Sequence, residues 1–297
     1  MAIAFRASGP LDAIQENLGL LGDLPGTFIG NGFNLIARPD KQNNKPFFLE
    51  LNATQEILEF TNIGGDIPNR GSVQGDLTLH GLRYLQRVAD CAQHTAIHLE
   101  PGLWLHVPAT TAPDPVTPET YVRQATIPHG DSVLAQSTFF TTVNGGPQIA
   151  PVDSTPFTGD IPDLNSPPAN PVNNPDYLKP YRETPLPTEC LPTGLEAVQT
   201  IWNPALVLQA AITGQNITET VVIQISTAPV GGIVNIPFVV QNANATRLDA
   251  IFWIEKVANP TGGAEPFIQL QYVQRVILGF DNIWWPHISV ATLVKTL

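Results

Sequence analysis

The fold class is decided by the stretch Thr218-Glu219-Thr220-Val221-Val222-Ile223-Gln224-Ile225-Ser226-Thr227. Three of its apolar side chains recur at every second position, namely Val221, Ile223 and Ile225. Successive side chains of an extended strand point to opposite faces, so these three share one face. A period of two over this length predicts a half-buried β-strand.

The same period continues along most of the chain. Turn residues separate a series of candidate strands: Thr27–Ala37, Pro46–Phe60, Leu77–Val88, Ala96–Val107, Tyr121–Ile127, Ser132–Val143, Thr218–Thr227, Ile233–Gln241, Arg247–Val257, Phe267–Leu278 and Ile288–Val294. Their spacing is typical of a meander. About ten such strands can close into an up-and-down antiparallel β-barrel, which has no exposed edges and has room for one small ligand. We therefore predict an all-β barrel in a single domain, residues 1–297, around an apolar pocket.

Helices are expected in two places only. Leu11, Ile14, Leu18 and Leu21 recur at helical spacing near the start of the chain. A second short helix is predicted from Leu195 to Ala211, where Pro204 would kink or divide it.

A proline-rich excursion interrupts the strand pattern at about residues 147–205. Proline cannot donate to a sheet, so this segment is not a central strand. One interpretation is a disordered linker. The aromatic residues Phe157, Tyr177 and Tyr181 favour the other, an ordered excursion that docks on the outside or the mouth of the barrel.

The composition excludes several classes of function. The formal net charge is −12, from 14 basic and 26 acidic residues, so we expect no binding to nucleic acid or to an anionic membrane. No apolar run is long enough to span a membrane as a helix, and Met1–Arg6 lacks the features of a signal peptide. Cys91 and Cys190 lie far apart in the sequence, so we expect no disulfide and a reducing, cytoplasmic location.

Three motifs resemble those of the nitrobindin family, which are haem-binding β-barrels. They are Gly26-Thr27-Phe28-Ile29-Gly30-Asn31-Gly32-Phe33, Ile97-His98-Leu99-Glu100-Pro101-Gly102-Leu103-Trp104, and the closing strand Pro286-His287-Ile288-Ser289-Val290-Ala291-Thr292-Leu293-Val294-Lys295. They occur in the family's order, and the segments 46–50 and 56–60 lie where the family has its second and third strands. The chain departs from the family in its length, in the excursion, and at Phe28 and Pro101.

The resemblance implies a haem b cofactor whose iron is bound by His287. Trp285 would wall the pocket, because it shares a strand face with His287, and Phe28 would plug the barrel floor. By the same resemblance, His98 faces the bound group and could move a proton on a peroxide ligand.

Three further residues are candidates for this site on general grounds. Arg38 and Arg123 could bind the haem propionates or could be ordinary strand-surface arginines. His129, in a Pro-His-Gly turn, is either solvated or part of the barrel mouth.

Several functions remain open at this stage. The first is a haem protein with a small-molecule or gaseous ligand, acting on nitric oxide, peroxynitrite or peroxide as a peroxidase or a peroxynitrite isomerase. The alternative is a metal-free barrel that binds an apolar small molecule as a carrier, or as a pocket isomerase or cyclase. A self-assembling structural protein is a third class, and a homo-oligomer is compatible with any of them.

Overall fold

The computed structural model describes residues 15–228, 230–258 and 265–296. Its strands are β1 (Gly26–Asp40), β2 (Lys45–Asn62), β3 (Ile67–Asn69), β4 (Leu77–Asp90), β5 (Ala96–Val107), β6 (Thr120–Ile127), β7 (Asp131–Asn144), β8 (Asn216–Ser226), β9 (Gly232–Asn235), β10 (Asn244–Ala258), β11 (Phe267–Phe280) and β12 (Ile283–Lys295). The α-helices with both ends described are α1 (Pro175–Glu183), α2 (Ala197–Trp202), α3 (Ala205–Ala211) and α4 (Pro237–Asn242).

Ten of the strands form a closed antiparallel barrel, as the sequence predicts. The ring runs β2-β1-β12-β11-β10-β8-β7-β6-β5-β4, and pairing of β2 with β4 closes it. β3 and β9 are short additions that pair with β4 and β7. None of the helices in the described ranges is long and apolar enough to cross a membrane.

The glycines of β1 allow it to lie unusually close to β12. A Cβ atom on Gly30 would collide with the carbonyl oxygen of Thr292, and one on Gly32 would collide with that of Val290. These two positions therefore require glycine for close backbone approach, which is the structural use of the glycine-rich opening motif.

One predicted strand is wrong in its second half. The segment Ile233–Gln241 forms only the short β9, and the helix α4 follows it. Pro237 lies in the first turn of α4, where its missing N–H costs nothing, whereas in a strand the same residue would remove a ladder hydrogen bond. A run of apolar residues of this length does not distinguish helix from strand.

An apolar floor closes one end of the barrel. The N-terminal segment contributes Leu18, Leu21 and Leu24, which pack with inward side chains of the barrel such as Phe28 and Trp104. Residues 15–17 are helical and Gly19–Leu21 form a 3-10 turn. The predicted N-terminal helix is present in this part, and its earlier residues, including Leu11 and Ile14, lie outside the described residues.

The excursion packs against the outer wall of the barrel. A second apolar cluster joins Phe33, Leu35, Ile288 and Val290, which point outward from β1 and β12, to side chains of the excursion such as Tyr181. The predicted second helix is divided as expected, because α2 and α3 are separated at Asn203 and Pro204. The excursion is thus an outer layer over the seam between β1 and β12.

The two cysteines form a disulfide, so the prediction that they stay reduced is wrong. Cys91 follows β4 directly, and Cys190 lies between α1 and α2. Their Cα atoms are 6.4 Å apart although 99 residues separate them in the sequence. The long separation in the sequence suggested that the two cysteines would not meet, but the excursion brings Cys190 to the turn after β4.

Candidate functional site

The barrel contains a cavity of about 420 Å³ at the end opposite the floor. Strand β1 shows which end of the barrel this is. Phe28, near the start of β1, belongs to the floor, whereas Asn34, Ile36 and Arg38, further along the same strand, line the cavity. Much of the wall is apolar and consists of Ile36, Val88, Ile97, Ile127, Val133, Ile233, Val239, Leu248, Val276 and Leu278, among others. A volume of this size is typical of sites that hold a small organic molecule, which range over about 300–1,000 Å³.

Four of the residues predicted to form the site line this cavity. They are His287 of β12, His98 of β5, His129 of the turn between β6 and β7, and Arg38 near the end of β1. The imidazole rings of His98 and His129 have centroids 5.8 Å apart. Residues distant in the sequence therefore converge on one space, as the resemblance implied for His287 and His98.

His287 is held by a hydrogen bond and stays uncharged. Its Nε2 lies 2.8 Å from Oδ1 of Asn34, and the hydroxyl of Ser289 donates to the same oxygen at 2.9 Å. Burial lowers the pKa of His287 to about 3, and the nearby imidazoles of His98 and His129 act in the same direction. At neutral pH one of its ring nitrogens therefore keeps a lone pair.

His98 is joined to the buried centre of the barrel through Glu100. Its Nε2 lies 3.3 Å from Oε2 of Glu100, and Arg123 and Tyr84 donate to the other carboxylate oxygen. Burial would raise the pKa of Glu100, but the charge of Arg123 outweighs it and, with the hydrogen bonds from His98 and Tyr84, lowers the pKa to about 2. An ionised Glu100 can only accept, so Nε2 of His98 is the donor in this contact.

Arg123 does not line the cavity. Its guanidinium lies below the cavity, in contact with the rings of Tyr84 and Phe252, and its Nη1 donates to Gln274 at 2.5 Å. Each of its three guanidinium nitrogens donates within the protein, to Tyr84, Gln274 and Glu100, so the structure does not bring Arg123 together with the other residues predicted for the site.

Phe28 and Trp285 are buried but lie apart from the cavity. Phe28 packs edge to face on Phe60 in the floor, the place expected for it as a plug. Trp285 packs on Phe47, Tyr177 and Phe280 in the cluster under the excursion, so it does not wall the pocket. Trp285 was placed at the pocket because it alternates with His287 along β12. The pairing of β12 with β1 ends at Ile288, however, so Trp285 lies beyond it and packs with the excursion.

The cavity also contains acidic groups that sequence reasoning missed. Glu56 accepts hydrogen bonds from Tyr272 (2.6 Å), Gln86 (3.1 Å) and Thr54 (3.0 Å), and burial raises its pKa. Burial likewise raises the pKa of Asp131, whose Oδ1 has no partner in the described structure. A signal for Glu56 was present, since it lies at the same strand parity as the inward Leu58 and Phe60.

The mouth of the cavity combines an ion pair with an apolar helix. Nε of Arg38 donates to Glu50 at 2.6 Å, and both side chains are partly exposed. On the other side, α4 contributes Phe238 and Val239, and Phe238 is 70% exposed. The turn that carries His129 ends at Gly130, whose φ of +114° is a conformation suited to glycine.

Comparisons with known proteins do not identify the chain. No family model matches it, and no curated protein matches it. Among solved structures, the crystal structure of Rv2717c from M. tuberculosis is similar, with a TM-score of 0.45 and 14% sequence identity over 95% of this chain and 98% of that one. A similarity at this level does not indicate a function. In the described ranges, no group of three or more His, Cys, Asp or Glu side chains is arranged to hold a metal ion.

Proposed function

We propose that the barrel binds haem b in the cavity, with His287 as the protein ligand of the iron. The observation that carries this proposal is a neutral imidazole on the closing strand at the wall of a largely apolar cavity. An axial histidine must be unprotonated at one nitrogen, and the low pKa of His287 provides this at any physiological pH. The resemblance of the closing strand to that of the nitrobindins supports the same assignment.

The donor set fits haem, with one structural condition. Nε2 of His287 is held by Asn34, so ligation would use Nδ1 or would exchange the hydrogen bond for a bond to iron. The apolar wall suits a porphyrin, because burial of apolar surface contributes roughly 25 cal/mol per Å². Arg38, half exposed at the mouth, is the remaining candidate for a propionate contact, and it would have to leave Glu50 or share it.

The other histidines would act on a second ligand in the same space. Haem iron, when bound, would supply an open coordination position for nitric oxide, peroxynitrite or peroxide. Nε2 of His98 donates to Glu100, so in the neutral ring Nδ1 is the nitrogen that could accept a proton from such a ligand. His129 lies beside it, and it is solvent-exposed.

The second candidate is a metal-free carrier or pocket isomerase for an apolar molecule. The hydrogen bond from His287 to Asn34 favours it, because this bond already satisfies the imidazole without a metal. Glu56 and Tyr272, which have no cationic partner at hydrogen-bond distance within the described residues, would then recognise a polar group of the ligand.

An absorption spectrum of the purified full-length chain, produced with sufficient haem supply, separates the two candidates. Haem binding predicts a Soret band that co-elutes with the protein at about one haem per chain. A colourless protein that takes up no haem on titration, and that still binds a fluorescent apolar dye, would reject haem and support the carrier.

A further inference from the structure

Four polar side chains form a continuous hydrogen-bonded chain from the end of β4 to the cavity. Nδ2 of Asn52 lies 3.2 Å from Oδ2 of Asp90, and Nδ2 of Asn34 lies 3.3 Å from Oδ1 of Asn52. Oδ1 of Asn34 then meets Nε2 of His287 at 2.8 Å. Barrel register creates this chain, because Asn34 is directly opposite Asn52 in the pairing of β1 with β2.

The direction of every hydrogen bond in this chain is set at Asp90. Its Oδ1 accepts from the backbone N–H groups of Ala92 and Gln93, at 2.9 and 2.8 Å. Although partial burial opposes ionisation, these bonds and the one from Asn52 keep the pKa of Asp90 below its usual value. An ionised carboxylate can only accept, so Asn52 must present its NH₂ group to Asp90.

The constraint passes through both amides to the imidazole. With its NH₂ group on Asp90, Asn52 can offer only its carbonyl oxygen to Asn34. Asn34 must therefore donate from its own NH₂ group to that oxygen, and its carbonyl oxygen is left facing His287. That oxygen can only accept, so the proton of the neutral ring lies on Nε2.

We propose that Asp90, acting through Asn52 and Asn34, fixes the tautomer of His287, with the proton on Nε2 and the lone pair on Nδ1. Asp90 is a positioning residue in this scheme, because it does not line the cavity. Among the described residues the ring makes its hydrogen bond through Nε2 alone, and His287 lines the cavity, so Nδ1 is the nitrogen left for the contents of the cavity. The inference concerns the imidazole alone and holds whether or not haem is bound.

The decisive variant is Asp90→Asn, which is nearly isosteric. The two backbone N–H groups require an oxygen, so the introduced amide keeps its oxygen toward Ala92 and Gln93. Its NH₂ group then takes the place of Oδ2 and faces Asn52. Each amide of the chain must turn over in response, Asn34 becomes a donor to His287, and the ring proton moves to Nδ1.

The measurement is a long-range ¹H–¹⁵N correlation spectrum of the protein labelled with ¹⁵N-histidine, without haem, at neutral pH. The chain has six histidines, and the signals of His287 are identified by their loss in His287→Gln. We expect Nε2 to be the protonated nitrogen in the wild type and Nδ1 to be the protonated nitrogen in Asp90→Asn. Asp153→Asn is the matched control, because Asp153 also accepts from a backbone N–H in a turn, at 2.8 Å, but lies outside the chain.

A second variant shows whether the effect of Asp90→Asn on His287 passes through the hydrogen-bonded chain or through a general change of structure. Asn52→Ala interrupts the chain without changing the turn at Asp90, so in that background Asp90→Asn should no longer alter the spectrum of His287. Protonated Nδ1 in the wild type, an unchanged tautomer in Asp90→Asn, or an equal shift with and without Asn52 would each overturn the proposal. Because haem is absent throughout, a failure here is distinct from a failure of haem binding.

Discussion

Arg123 and Glu100 form an ion pair in which both side chains are almost completely buried, with 3% and 1% of their surfaces exposed. The pair lies between the apolar floor and the cavity, and the guanidinium also donates to Tyr84 and Gln274. It also holds the carboxylate that orients His98. The cavity therefore rests on a polar layer whose charges cancel within the barrel.

Replacing Arg123 with Met should destabilise the protein strongly, because the buried charge of Glu100 would lose its guanidinium partner. Removal of one member of a buried pair typically costs about 3–5 kcal/mol. Arg38→Met is the matched control: the Arg38–Glu50 pair is exposed at the mouth, and such pairs contribute about 0–1 kcal/mol. Urea unfolding measures both, and similar losses in the two variants would contradict the assigned roles.

Glu255 should make the stability depend on pH. It is buried on β10, Gln269 donates to one of its oxygens at 2.5 Å, and the other has no partner in the described structure. Burial raises its pKa from 4.5 to about 7. A raised folded pKa stabilises the protein fully below the unfolded pKa, and this contribution is lost as the pH rises through about 7.

The variant Glu255→Gln isolates this effect, because its amide does not titrate. Relative to the wild type, its free energy of unfolding should rise between pH 4.5 and pH 7.5 by on the order of 2–3 kcal/mol. Urea unfolding at a series of pH values measures the difference. A constant difference across this range would show that the pKa of Glu255 is not raised in the folded protein.

The disulfide should contribute to stability by restricting the unfolded chain. The double variant Cys91→Ser with Cys190→Ser should lose about 2–4 kcal/mol, because the bond closes a long loop of the sequence. Reductant should lower the stability of the wild type toward that of the variant and leave the variant unchanged. Two thiols that react with a thiol reagent in the native, unreduced protein would show that the bond does not form.

The barrel could be predicted from the sequence because its evidence is local. The alternation of apolar and polar residues is visible in each strand before its pairing partners are known. Pro204 likewise interrupts a helix whatever the two halves pack against. The strand predicted from Ile233 to Gln241 was wrong in its second half because an apolar run without clear alternation fits a helix as well as a strand. The position of Trp285 was not predicted because alternation along β12 does not show that its pairing with β1 ends at Ile288, or that the excursion covers the strand beyond that point.

The site could be predicted only in part, because most of its polar contacts depend on register. His287 and His98 were proposed because their motifs resemble those of a known family, and His129 was a candidate because loops at a barrel mouth often carry functional residues. Asn34 and Asn52 carry no such signal, since an isolated asparagine in a strand is unremarkable. Their contact with each other and with His287 exists only once β1 is paired with β2 and β12.

A haem titration of His287→Gly tests the central claim most directly. Absorption in the Soret region is followed for the wild type, for His287→Gly with and without added imidazole, and for His80→Ala, a β4 histidine that does not line the cavity. Circular dichroism confirms that each variant keeps its β structure. The account predicts saturable binding at about one haem per chain for the wild type and His80→Ala, loss of most of the affinity in His287→Gly, and its recovery with imidazole. Equal affinity and an unchanged spectrum in His287→Gly, or no uptake of haem by the wild type, would contradict it.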